Sequence, residues 1–126
     1  MVLCDSNILI DFFKNQAETV NEIRQIVPRN VLLSEITIME LMVGARNRAD
    51  LLDINKKLKF YARIGISKEV SNRAVELIEQ FGLSHGLKIP DALIGSTALE
   101  HDLELFTYNL KDFVFLPGIK LYKPIY

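Results

Sequence analysis

Cysteine is almost absent from the 126 residues. Cys4 stands alone, so no internal disulfide can form, and a reducing compartment suits the chain. The fold must rest on burial. A chain of this length hides roughly two thirds of its unfolded surface, enough without covalent staples. Cys4 closes an apolar run and has no histidine partner in view, so it reads as a small buried hydrophobe. Histidine is nearly as scarce: His85 and His101 show no ligand spacing, which leaves a histidine metal site or proton relay without support. Gly82, Gly86 and Gly95 form no phosphate-cradling pattern, and Ser6 has no triad partners. No apolar run nears the roughly 20 residues of a membrane span. No basic-then-apolar leader opens the chain, whose first charge is Asp5. No repeat, low-complexity tract or Pro/Gly-rich linker divides it. A single cytoplasmic domain over residues 1–126 is therefore expected.

A dominant charge of one sign is lacking as well. The net charge is −1 and the pI about 6.1, which counts against a dedicated nucleic-acid binder. The distribution qualifies that. Between Gly44 and Arg63, six bases (Arg46, Arg48, Lys56, Lys57, Lys59 and Arg63) face only Asp50 and Asp53. The segment is either a solvated helix face or an edge that contacts phosphates.

What is present is alternation. Short apolar or β-branched runs at 2–4, 31–33, 64–66, 103–107 and 119–122 read as strands. Between them lie amphipathic stretches. One helix starts over 8–13. Another over 18–27 carries Val20, Ile23, Ile26 and Val27 and is broken by Pro28, Arg29 and Asn30. A third, 36–46, shows Ile38, Leu41, Met42 and Ala45 on one face, and a fourth spans 50–61. Ser67 suits the cap of the next, which presents Val70, Ala74, Leu77, Ile78 and Phe81 and meets Gly82 as a stop. A brief helical turn follows over 83–86. The last helix, 90–101, opens on Pro90. This order predicts an α/β fold in three layers, with a mainly parallel sheet covered on both faces. Ligands in such sheets bind at the carboxyl ends of strands.

Five polar groups fall on that rim. Asp5 ends the first strand, where it also suits a helix N-cap. Glu40 follows Thr37 at capping-box spacing, yet its helix begins where the second strand ends. Asp91 follows Pro90 in the first turn of an apolar helix with small residues, where the macrodipole favours an acid. Asn109 and Asp112 follow the fourth strand and are ordinary turn residues. Each has a local explanation; the joint placement asks for another. Carboxylates brought within about 4 Å repel by about 1 kcal/mol per pair even in water, so a cation is expected among them. Oxygen-only ligands favour Mg²⁺ or Mn²⁺. Such an ion activates a water for phosphodiester hydrolysis, and a second one steadies the leaving oxygen.

The motifs D-S-N-x-L-I-D from Asp5, T-x-x-E-L-x-x-G from Thr37, P-D-A-L-I-G-S-T-A-L from Pro90 and F-T-x-N-x-x-D-F from Phe106 occur in that order. Together they resemble the PIN-domain ribonucleases, and within them the VapC-type toxins of toxin–antitoxin pairs. The likeness runs from Asp5 to the Pro117–Leu121 tail. It implies a five-stranded sheet of order 3-2-1-4-5, Mg²⁺- or Mn²⁺-dependent endoribonuclease activity on RNA, a cognate antitoxin and a homodimer. An antitoxin helix would lie in an apolar groove beside the site. By position, Asp5, Glu40 and Asp91 match the acids that hold the metal. Asn109 stands where many PIN domains carry Asp, with Asp112 as the acid a few residues on. Thr107 is expected to bond Asp5 or a ligated water, and Asn7 to fix the turn after the first strand. Asp11 is either behind the site or exposed. Arg46, Arg48, Lys56 and Lys57 are the candidate RNA contacts. Tyr122 and Tyr126 serve a subunit contact or the core. Two other classes compete. An inactive PIN fold that only binds RNA or protein draws on Asn109 replacing an acid. A phosphatase with a strand-end Asp nucleophile meets Asn7 where its second Asp belongs.

Overall fold

The computed structural model describes residues 1–26 and 30–123. The expected helix stop at Pro28 and Arg29, with Val27 before it, and the packing of Tyr126 lie outside those residues. The chain runs β1 (Val2–Cys4), α1 (Ser6–Phe13), α2 (Ala17–Ile26), β2 (Val31–Ser34), α3 (Glu35–Val43) and α4 (Arg48–Leu58). It continues through β3 (Ala62–Ile64), α5 (Lys68–His85), α6 (Ile89–Glu100), β4 (Glu104–Phe106), a short 3-10 turn (Leu110–Asp112) and β5 (Lys120–Leu121). The five strands lie in the order β3-β2-β1-β4-β5, and every pairing is parallel. The expected order and layering are therefore observed.

Strand periodicity divides the core. Val2 and Cys4 of β1, Val31 and Leu33 of β2 and Phe106 of β4 point to one face, where Ile8, Leu9, Ile23, Ile38, Leu41 and Leu58 meet them. Leu3, Leu32 and Leu105, at the alternate positions, join Ala74, Leu77, Ala92, Ile94, Ala98 and Phe113 on the other. A parallel strand covered on both sides needs apolar residues at every position, which is why these strands read as unbroken apolar runs. Helix α6 is buried nearly all round, and at Gly95 an added Cβ would stand 2.6 Å from Leu116 Cδ1. Any larger residue there would force the Leu116 side chain to shift.

Several boundaries differ from expectation. Helix α5 runs through Gly82 and stops at Gly86, whose φ of +64° supplies the left-handed cap. Aromatic contacts hold the added turn, since the His85 ring stacks on Phe115 at 4.3 Å and meets Phe81 at 5.5 Å. Strand β3 lies two residues earlier than expected, because pairing with β2 sets its register at Ser34↔Ile64. Helix α3 is capped by Ser34, whose Oγ accepts from Ile36 N at 3.1 Å, not by Thr37. Thr37 is buried one turn inside, and its hydroxyl has no partner there. The capping box of Thr37 and Glu40 is thus absent, and with it the local explanation for Glu40. Tyr122 takes the core alternative: its ring packs 4.9 Å from Phe106 and its hydroxyl donates to Glu22.

Candidate active site

The parallel register Cys4↔Phe106 sets the residues just past β1 and β4 side by side. Asp5 follows β1 and is only 4% exposed. Both its oxygens are engaged: Oδ1 accepts from Ser6 N at 2.8 Å and Oδ2 from the Thr107 hydroxyl at 2.9 Å. Asp5 is therefore a helix cap and a rim acid at once. Burial pushes its carboxyl above the ordinary range. The bonds from Thr107 and Ser6 work against that, and repulsion from Asp112 adds to it.

Glu40 reaches the same field from the second turn of α3. Its carboxyl is also raised, first by partial desolvation and then by Asp5, with the Ser6 hydroxyl opposing. Asp91 feels every one of the others. It sits in the first turn of α6, where the helix dipole favours a negative charge. Its carboxyl is nonetheless pushed up to about 6, by burial first and then by Asp5, Asp112 and Glu40, against a small opposing pull from Lys88. The ion pairs among the described residues all lie elsewhere, on Glu35, Asp50, Asp53, Glu100 and Asp102. The rim acids thus repel one another without a lysine or arginine in contact.

The loop after β4 decides the fourth position. Asp112 bears on both Asp5 and Asp91. Asn109 gives its backbone N–H to Thr107 Oγ1 at 3.1 Å, while its side chain caps nothing. The charge at that place comes from Asp112. Asn7 does not hold its own turn, as expected, but the loop across from it: Nδ2 donates to Thr107 Oγ1 at 3.4 Å and Oδ1 accepts from Tyr108 N at 3.3 Å. Asp11 does not enter the field at the acids. Ser6 and Lys88 were missed as participants, although both lie inside or beside the motifs, in D-S-N and K-I-P-D.

The basic candidates sit apart. Arg46 pairs with Asp50 at 3.5 Å, and Lys57 pairs with Asp53 at 3.0 Å while lying over the Phe13 ring. Arg48 is exposed. Lys56 lines a cleft of about 900 Å³ with Lys59, Leu52, Ile38 and Met42. None of the four is among the main causes of the shifts at the acids. Cys4 is buried, and desolvation together with Asp5 pushes its thiol up to about 12, so it stays protonated.

Residues 2–114 match the PIN domain family. The chain belongs to it. The fold and a larger share of its residues recur in a solved toxin–antitoxin complex from Klebsiella pneumoniae, 37% identical, covering 99% of this chain and 98% of that one with a TM-score of 0.81. VapBC2 from Rickettsia felis, solved with a promoter DNA fragment, is 25% identical over 97% of this chain and 98% of its own, with a TM-score of 0.79. DNA-bound VapBC from Salmonella typhimurium shares the fold at 18% identity, 96% coverage of both chains and a TM-score of 0.82. None of the curated proteins matches in sequence. The likeness is to VapC-type PIN toxins, as the four motifs imply.

The donor set of this PIN domain suits a hard divalent ion: it offers carboxylate oxygens from separate segments, and those of Asp5, Glu40 and Asp91 are raised in pKa by burial first and then by neighbouring carboxylates. Among the described residues no three Asp, Glu, His or Cys side chains are already drawn in around one point.

Proposed function

We propose that this PIN domain is a metal-dependent endoribonuclease and acts as the toxin of a toxin–antitoxin pair. One observation carries the reading: Asp91, at a helix N-terminus that should ease its ionisation, is held at about 6 by burial and three other carboxylates. Asp5, Glu40 and Asp91 would hold Mg²⁺ or Mn²⁺, with Asp112 as the fourth acid and the Asn109 amide beside it. The ion, when bound, supplies positive charge for a phosphodiester and lowers the pKa of a water. The chain's own residues do the rest. Ser6 N–H and the Thr107 hydroxyl fix the two oxygens of Asp5. Asn7 ties the loop of Thr107 and Tyr108 to α1. Arg46, Arg48, Lys56 and Lys57 offer phosphate contacts along the substrate, away from the acids.

The partner reading rests on the toxin–antitoxin relatives and on surface. Grooves with apolar floors and basic edges flank α4, one lined by Ile38, Met42, Leu52 and Leu58 with Lys56, Lys59 and Arg63, and one by Phe12, Phe13, Val20 and Phe60 with Arg24 and Lys57. Either receives an antitoxin helix. A homodimer and a cytoplasmic location complete the proposal; no described helix is long and apolar enough to cross a membrane.

The test is cleavage of structured RNA with Mg²⁺ or Mn²⁺, against EDTA and Asp5→Asn. Activity indifferent to both controls removes the hydrolytic reading. The uncharged Asn109 favours one alternative, a PIN fold that binds RNA without cutting it. Titration showing no Mn²⁺ binding at millimolar concentration would favour that alternative.

A further inference from the structure

Two tyrosines reach from the sheet to one helix. Tyr108, just past β4, hydrogen-bonds through its hydroxyl to Thr19 Oγ1, and Tyr122, just past β5, donates its hydroxyl to Glu22 Oε1 at 2.6 Å. Thr19 and Glu22 are three residues apart on α2, hence on one face, and are 2% and 1% exposed. Both rings pack against Phe106, with centroids 5.7 and 4.9 Å away. Both clamps join a tyrosine hydroxyl to a buried polar group of α2, a neutral threonine hydroxyl in one and a glutamate carboxylate in the other.

They differ in what they hold. Tyr108 belongs to the loop that carries Thr107, Asn109 and Asp112, and its backbone N–H is also taken by Asn7. Residues 108–111 are exposed, and the loop re-enters the core at Phe113, which is fully buried. Asp112 rides between these two fixed ends and is repelled by Asp5 and Asp91. Repulsion of that sense drives the loop outward, away from the rim. The Thr107 and Asn7 bonds restrain it only towards β1 and α1. The Tyr108 side chain ties it to a further helix, α2.

We propose that Tyr108 is a positioning residue: through buried Thr19 it anchors to α2 the loop that keeps Asp112 at the rim with Asp5 and Asp91. The inference rests on the reading of those acids as a divalent-ion site. Tyr122 is the internal control, since its hydroxyl bonds the same helix from the end of β5 and it is not part of the loop.

The experiment compares Tyr108→Phe with Tyr122→Phe in the full chain, by calorimetric Mn²⁺ titration and by amide hydrogen exchange without metal. Tyr108→Phe is expected to weaken Mn²⁺ binding about tenfold, the scale of losing a group that orients a ligand. It should also speed exchange at Asp112 and Phe113, whose amides bond Asn109 and Leu110 carbonyls within the turn. Tyr122→Phe, which takes a donor from a buried carboxylate, should lower the melting temperature at least as much and change neither readout. Thr19→Val should reproduce Tyr108→Phe, and Thr19→Ser, which keeps the hydroxyl, should restore it; this pair decides the matter if Tyr108→Phe does not fold. Equal exchange in the two tyrosine variants overturns the anchoring. Wild-type protein that binds no Mn²⁺ overturns the ion site instead, and the exchange comparison then still decides whether Tyr108 anchors the loop.

Discussion

The rim acids and the basic segment around α4 treat charge in opposite ways. In the basic segment, Arg46–Asp50 and Lys57–Asp53 are i,i+4 neighbours on an exposed helix, so water and local pairing satisfy them. At the rim, Asp5, Glu40, Asp91 and Asp112 come from four segments, and burial followed by neighbouring carboxylates raises Asp5, Glu40 and Asp91. The first arrangement costs nothing to keep. The second weakens the fold whenever the acids are ionised without a counter-charge. Such an arrangement suits a place where a ligand supplies the missing charge, which is why the proposed site is drawn at the perturbed acids and not at the basic segment.

Neutralising one acid tests this contrast most severely. Asp5→Asn and Asp91→Asn should each lower RNA cleavage by about a hundredfold or more, whereas Lys56→Ala should lower it only a few-fold, measured on the same RNA under single-turnover conditions. Comparable losses from the two regions would erase the distinction. Thr107→Val comes next. It leaves Asp5 Oδ2 without its donor and should weaken Mn²⁺ binding by about 10- to 100-fold while the fold persists.

Stability sharpens the contrast further. The folded-state pKa of Asp91, about 6, lies above its ordinary value of 3.8, so the folded chain binds more protons than the unfolded chain in that window. The contribution is fully present below about 3.8 and lost as pH rises through about 6. Asp91→Asn should therefore melt like wild type near pH 4 and a few degrees higher at pH 7, without metal, in scanning calorimetry. Mg²⁺ should shrink that gap by stabilising wild type. A variant that melts lower at pH 7 would mean that Asp91 is not under repulsion. The smallest effect belongs to Lys56→Ala: stability within about 0.5 kcal/mol, and a salt slope of RNA binding reduced by about 1 if this lysine meets a phosphate.

The candidate acids could be proposed from sequence because motif spacing placed each just past a strand or in the opening turns of a helix, Glu40 in α3 and Asp91 in α6. Local grammar misled where two readings competed for one residue. Thr37 and Glu40 satisfied a capping box that Ser34 pre-empted, and Gly82 looked like a stop because nothing local showed His85 stacking on Phe115. The choice between Asn109 and Asp112 also lay beyond sequence, since it depends on which side chain the 3-10 turn brings towards Asp5 and Asp91.

Sequence alone determined the α/β class, the strands and the four segments that supply acids, because apolar periodicity and turn chemistry are properties of neighbouring residues. Tertiary structure decided which side chains share a field: Asn7 with Tyr108, Thr107 with Asp5, Thr19 with Tyr108, Asp112 with Asp91. Those pairings span from about 20 to 100 positions in the chain, and only the parallel packing of β1 against β4, with α2 and α6 on opposite faces, brings them together.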